Sequence, residues 1–215
     1  MSDKLKIAVL VSGSGTNFEA IASRAQGGQI DVEVCCVVSN RPGVGALERA
    51  ERLGVPAHVV SHRDYPDRSS HERAIIETIS PYGVDLIVLA GYTRIVTETL
   101  INALAGNRLG LPGIVNIHPA DTRAYQGGHG YEFAMGLLPE HPQQLERTMI
   151  TVHFVDNGVD TGPIIAQREV PVFAIDTLDD LRARGLQVEY GLYSQVLQWI
   201  AQGRVKYADN KATID

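Results

Sequence analysis

The chain has 215 residues and a formal net charge of −6 at pH 7, with 44% hydrophobic, 20% charged and 6% aromatic residues. That length supports one sizeable core and is short for two, so residues 1–215 are expected to form a single globular domain. The acidic balance and the lack of a dense Lys/Arg cluster exclude a duplex nucleic-acid footprint, while leaving room for a small anionic ligand.

The opening "MSDKLKIAVLVSG" carries an apolar stretch of only about six residues, too short for a signal-peptide core or a membrane span. A cytoplasmic protein with no membrane partner is expected. "KIAVLV" (6–11) reads as the first strand, followed by "SGSG" and a helix in "TNFEAIASRAQ". "VEVCCVV" (32–38) is the second strand. Its adjacent Cys35 and Cys36, the only cysteines, point to opposite faces and are poorly placed to bridge each other. Two buried thiols fit a reducing compartment, and no C-x-x-C spacing suggests structural zinc. A helix within "RPGVGALERAERLG" ends at Gly54, and "AHVV" (57–60) is a short third strand. "SSHERAIIETISPYG" reads as a helix with Ser69 or Ser70 near its N-cap. "VDLIVLAG" (84–91) and "GIVNIH" (113–118) are the fourth and fifth strands. Near-continuous apolar runs such as "LIVLA" belong to strands buried on both faces, which implies a mostly parallel sheet in a doubly wound α/β fold.

After residue 118 the pattern changes. "YEFAMGLL" is a short helix, and "TMITVHFVD" and "GPIIAQREVPV" are strands that can pair as an antiparallel C-terminal extension, with turn chemistry in Asn157-Gly158. "TLDDLRARGLQVEYGLYSQVLQWIAQG" is a long terminal helix, capped by Thr177 with Asp180 and followed by Gly203.

Gly13 and Gly15 follow the first strand at the edge where open α/β sheets bind ligands. Two readings stand side by side: a phosphate cradle of Gly15, Thr16 and Asn17 at a helix N-terminus, or a tight turn capped by Thr16. Phe18 stands where a dinucleotide fingerprint needs its third glycine, and Ser39-Asn40 replaces the acidic ribose ligand. No Lys-Ser or Lys-Thr pair completes a nucleoside-triphosphate loop.

Asn116 and His118 end the fifth strand two residues apart, so they share a face, and Pro119 restrains the histidine backbone. Asp160, in "NGVDTGP", lies on a loop able to fold over the same crevice. An amide, an imidazole and a carboxylate suit acyl-type transfer to an amine. The amide and a protonated imidazole stabilise an oxyanion, and the carboxylate controls the proton. Nothing in this set demands a metal or a covalent nucleophile. The other reading is a strand-end histidine bonded to a backbone carbonyl and a turn-forming aspartate. His153 is expected to be a packed or supporting residue; His58, His62, His71 and His141 read as surface positions; His129 either enters the crevice or starts a helix.

With these residues assembled, the chain resembles the phosphoribosylglycinamide formyltransferases of purine biosynthesis. The resemblance rests on "VLVSGSGTNFEAI", "VVSNRPGVGALERAERLGVP", "DLIVLAGYTRIV", "VNIHP" and "TVHFVDNGVDTGPIIAQ", in the family's order. It implies that Asn116, His118 and Asp160 are catalytic and that Gly15, Thr16 and Asn17 hold a ribose phosphate. It further implies that Glu189 recognises the glycinamide acceptor. Arg68, Thr93, Arg94, Ile95, Val96, Asn116 and Asp156 are implied to line the site of the co-substrate 10-formyltetrahydrofolate, with the Asp156–Asp160 loop closing over the pterin. The partners implied are small molecules, a phosphoribosyl amine and a reduced folate, with the chain a monomer or homodimer.

The chain departs from that pattern in places. Ala120-Asp121-Thr122-Arg123 replaces Ser-Leu-Leu-Pro after "NIHP", and Leu186 stands where a phosphate-binding lysine is often found. Arg184 or Arg123 is a candidate substitute for that cation. "AGNRLGLPG" and "LLPEHPQQLERT" are longer than usual. The alternatives are a formyltetrahydrofolate hydrolase, formyl transfer to a different amine, and a catalytically silent ligand-binding protein.

Overall fold

The structure is a computed structural model and describes residues 4–215; the first three residues of the N-terminal segment and of the 1–215 domain assignment lie outside it. In chain order, β1 (Leu5–Val11), α1 (Thr16–Gln26), β2 (Val32–Ser39), α2 (Gly45–Leu53), β3 (Ala57–Val59), α3 (Arg68–Ile79) and β4 (Leu86–Leu89) build the first half. The short α4 (Glu98–Ile101), β5 (Ile114–His118), α5 (Gly130–Ala134), β6 (Arg147–Phe154), β7 (Ile164–Pro171) and the long α6 (Leu178–Ala201) follow. A hairpin of β8 (Val205–Ala208) and β9 (Lys211–Ile214) completes the chain.

Seven strands form one sheet in the order β3-β2-β1-β4-β5-β6-β7. Pairings among β1 to β5 are parallel, whereas β5–β6 and β6–β7 are antiparallel. The anticipated fold class and its antiparallel extension are both present. Both faces of the sheet are covered because β1 alternates its apolar side chains. Ile7, Val9 and Val11 pack with Phe18 and Ile21 of α1 and Leu192 and Tyr193 of α6. Ala8 and Leu10 pack with Ile75 and Ile79 of α3 and Leu100 of α4. Each large aliphatic buried this way contributes about 1.5–3 kcal/mol. No helix among the described residues is long and apolar enough to cross a membrane.

The strand order reverses between β1 and β4, which opens a crevice at their C-terminal ends, the general ligand position in such sheets. Tyr193 braces this edge from α6: its buried hydroxyl lies 2.9 Å from Leu89 O and 3.0 Å from Val115 O.

Four local expectations are corrected. The N-cap of α3 is Asp67, whose Oδ1 accepts from the Ser70 N–H at 2.7 Å; a carboxylate two residues earlier outcompetes the serine hydroxyls. His71 is buried, its Nε2 2.8 Å from Val60 O, because the first turn of α3 rests on the end of β3. In the β6–β7 loop the turn forms at Asp156, whose Oδ1 accepts from Gly158 N and Thr161 Oγ1, and the left-handed residue is Asp160. The β8–β9 hairpin was not anticipated; Asp209 and Asn210 both take positive φ at its tip. The α6 capping box of Thr177 and Asp180 is present in both halves.

Candidate active site

Strand β5 is apolar until its last residues, and Asn116 and His118 project from one face where it meets the crevice. Antiparallel pairing with β6 sets His153 opposite Asn116, so a third polar side chain joins that face. Asp160 enters from the β6–β7 loop with φ at 52°, a conformation that few non-glycine residues adopt and that re-aims the carboxylate inward. Its Oδ1 accepts from Asn116 Nδ2 at 3.1 Å, and its Oδ2 accepts from the Gly127 N–H at 2.8 Å. His118 Nδ1 lies 3.5 Å from Oδ2, within ion-pair range but long for a hydrogen bond. His118 Nε2 lies 3.2 Å from Tyr125 O.

His153 Nδ1 is 2.7 Å from Phe154 O, which can only accept, so that nitrogen carries a proton. Its Nε2 lies 3.3 Å from Asn116 Nδ2. Nε2 also lies 3.4 Å from Asp160 Oδ1. Burial lowers the His118 pKa below the usual histidine range, against the attraction of Asp160. Burial pushes the Asp160 carboxyl up, yet the His153 ring, the His118 imidazole and the Gly127 N–H together hold it low. The resting site at neutral pH is therefore an ionised carboxylate beside a neutral imidazole.

These groups open on a cleft of about 450 Å³. One wall is the segment after β4, including Thr93, Arg94, Ile95 and Val96; the other is the β6–β7 loop from Asp156 to Asp160. Leu89, Ile117, Val155 and Val159 make much of the lining apolar, suited to a flat heteroaromatic ring with a few fixed polar contacts. The first wall is anchored twice. Thr93 N–H donates to Ser12 Oγ at 2.9 Å, and buried Glu72 of α3 accepts from Thr97 N, Thr97 Oγ1 and Leu100 N. Arg68 lies exposed at the first residue of α3 and is not part of the cleft lining.

The glycine turn after β1 leads into α1 with Gly15 as N-cap at φ 75°. A Cβ there would sit 2.5 Å from Ala46 Cβ, so both the backbone angle and the close approach of α2 require glycine. Thr16 does not cap the helix; no side chain does, and the first-turn N–H groups remain available to an anion. Asn17 Nδ2 donates to Glu189 Oε2 at 2.6 Å, and Tyr131 donates its hydroxyl to Glu189 Oε1. Burial pushes the Glu189 carboxyl up, against both hydrogen bonds. Asn17 Oδ1 is buried with no partner among the described residues.

Arg184 and Arg123, the substitutes considered for a cation at Leu186, are both engaged elsewhere. Arg184 pairs with Asp176 and packs over Phe173; Arg123 pairs with Asp121 and reaches Gln167 Oε1 at 3.0 Å. His129 is exposed at the start of α5, the helix-start alternative. Tyr131, Gly127 and Tyr125 touch site residues without having been singled out. Tyr125 and Gly127 come from the loop after His118 and Tyr131 from the start of α5, whose placement is set by the fold rather than by any local motif. Among the described residues no group of three or more His, Cys, Asp or Glu side chains is placed to hold a metal ion.

The formyl transferase family model matches residues 5–197. The chain is 36% identical over 210 residues to phosphoribosylglycinamide formyltransferase of Haemophilus influenzae, covering 98% of this chain and 93% of that one. The crystal structure of glycinamide ribonucleotide transformylase 1 from Symbiobacterium toebii superposes with a TM-score of 0.90 at 38% identity, covering 100% of this chain and 95% of that one. A formyltetrahydrofolate deformylase from Pseudomonas putida shares the fold at a TM-score of 0.83 and 24% identity, with 100% of this chain and 71% of that one covered.

Proposed function

We infer that this chain, which belongs to the formyl transferase family, transfers a formyl group from 10-formyltetrahydrofolate to the amine of 5'-phosphoribosylglycinamide in de novo purine biosynthesis. The observation that carries the reading is the pair of Asp160 oxygens facing Asn116 and His118 at the mouth of an apolar cleft.

In the mechanism these residues support, the amine attacks the formyl carbon and the carbonyl oxygen takes up negative charge. Asn116 Nδ2 and the His118 ring donate to that oxyanion. His118 is neutral at rest, so its second proton comes from the attacking amine, carried by water, and the imidazolium so formed is stabilised by Asp160. Collapse of the intermediate breaks the bond to the folate nitrogen, which receives the proton. The contact of His118 Nε2 with Tyr125 O has to give way to the substrate oxygen, which makes the loop after Pro119 part of the catalytic cycle. The donor ring lies between the Thr93–Val96 wall and the Asp156–Asp160 loop. The acceptor phosphate meets the free N–H groups of Gly15, Thr16 and Asn17, with Glu189 facing its sugar and amide.

A steady-state assay with 10-formyltetrahydrofolate, with and without the acceptor, tests this. Acceptor-dependent release of tetrahydrofolate is the expected result. Release without acceptor would replace the reading with the hydrolase.

A further inference from the structure

Outside the catalytic trio, Asn17, Tyr131 and Glu189 form a buried polar cluster, 7%, 8% and 6% exposed. They come from the start of α1, the start of α5 and the middle of α6. Both Glu189 oxygens already accept a hydrogen bond, one from Asn17 and one from Tyr131. The bond to Glu189 also fixes the orientation of the Asn17 amide, since a carboxylate can only accept, and this leaves Asn17 Oδ1 unpartnered.

The room for this arrangement comes from Gly185, one turn before Glu189. A Cβ at that position would collide with the Tyr131 hydroxyl and ring. Glycine in the interior of a helix lowers helix stability, and α6 has accepted that where the tyrosine passes. Buried tyrosine hydroxyls usually find a hydrogen-bond partner. Here the hydroxyl ends on a carboxyl buried beside the glycine turn.

We propose that Tyr131 is the acceptor-positioning residue of this chain: its hydroxyl, seated over Gly185, holds the Glu189 carboxyl beside Asn17 so that the cluster faces the sugar hydroxyls and amide of the phosphoribosyl acceptor. This rests on the formyl-transfer reading. What remains free on the cluster is spare lone pairs on Glu189, Tyr131 and the Asn17 oxygen, with the second N–H of the Asn17 amide as the one donor. A ligand that touches it meets mostly acceptors and is best matched by hydroxyl or N–H donors. The uncapped first turn of α1 beside it offers N–H groups and favours an anion. A phosphorylated polyol amide has both ends in the right order, and an acceptor without hydroxyl or N–H donors has only one.

The test is steady-state kinetics of Tyr131→Phe with both substrates varied. The expected result is an acceptor KM raised about tenfold, the size of one lost hydrogen bond to a charged group, with kcat and the donor KM unchanged. Gly185→Ala, which pushes the same ring aside, is expected to raise the acceptor KM alone in the same way. A structural role for Tyr131 would lower the thermal midpoint without this split. An unchanged acceptor KM in Tyr131→Phe, or equal losses for both substrates, would overturn the proposal while leaving formyl transfer intact. An unaltered chain that does not formylate the acceptor would remove the functional reading, and this proposal with it.

Discussion

At the scale of single residues, the chemistry depends on which groups are charged. His118 is buried and its pKa is depressed, with Asp160 opposing that depression. An NMR titration of the His118 ring is expected to give a midpoint below that of an unperturbed histidine, about 6.5. In Asp160→Asn, where the opposing attraction is gone, the midpoint moves lower still; a midpoint above 6.5 would contradict the resting state described. The sign carries into stability. The folded His118 binds its proton less readily than the unfolded chain, so this contribution is complete above the unfolded pKa. It is lost as pH falls through the window down to the folded value. His118→Ala is expected to lower kcat by about 10²–10⁴-fold while the protein remains folded by circular dichroism. Asn116, His118 and Asp160 were legible as residue types before any fold was known. The arrangement around them was not. His153 becomes a neighbour of Asn116 only through the β5–β6 register, and Tyr131 reaches Glu189 across 58 positions of chain.

At the scale of elements, the Thr93–Val96 wall of the cleft is held by a buried carboxylate. Glu72 fixes the segment after β4 to α3 through Thr97 and Leu100. Glu72→Gln places an N–H₂ where one of those donors needs an acceptor. The loss of a charged acceptor is expected to cost about 1.5–3 kcal/mol in urea unfolding and to raise the donor KM more than the acceptor KM. Equal effects on both substrates would mean that Glu72 acts on stability alone. Strands β1, β2, β4 and β5 were readable because burial on both faces leaves near-continuous apolar runs such as "LIVLA". The β8–β9 hairpin was not, because its strands are four residues long and largely exposed, and Asp209-Asn210 is a weaker turn signal than Asn-Gly. The N-cap of α3 was misplaced because three capping-type residues, Asp67, Ser69 and Ser70, stand almost together, and only geometry shows which one the backbone uses.

At the scale of the whole molecule, the strand reversal between β1 and β4 gathers the glycine turn, the Thr93–Val96 wall and the end of β5 at one edge of the sheet. The antiparallel β6–β7 pair extends that sheet, and the loop between its two strands brings Asp160 back to His118. Substrates bound at this edge stabilise the folded chain by mass action. A reduced-folate analogue at about 100 times its Kd is expected to add about 2.7 kcal/mol to unfolding, seen as a raised thermal midpoint that phosphoribosylglycinamide raises further. The most direct measurement follows a ¹³C-labelled formyl group from 10-formyltetrahydrofolate in the unaltered protein and in His118→Ala. The account predicts the label on the glycinamide amine with the unaltered protein and almost none with the variant. Label released as formate, or the same transfer by His118→Ala, would contradict it.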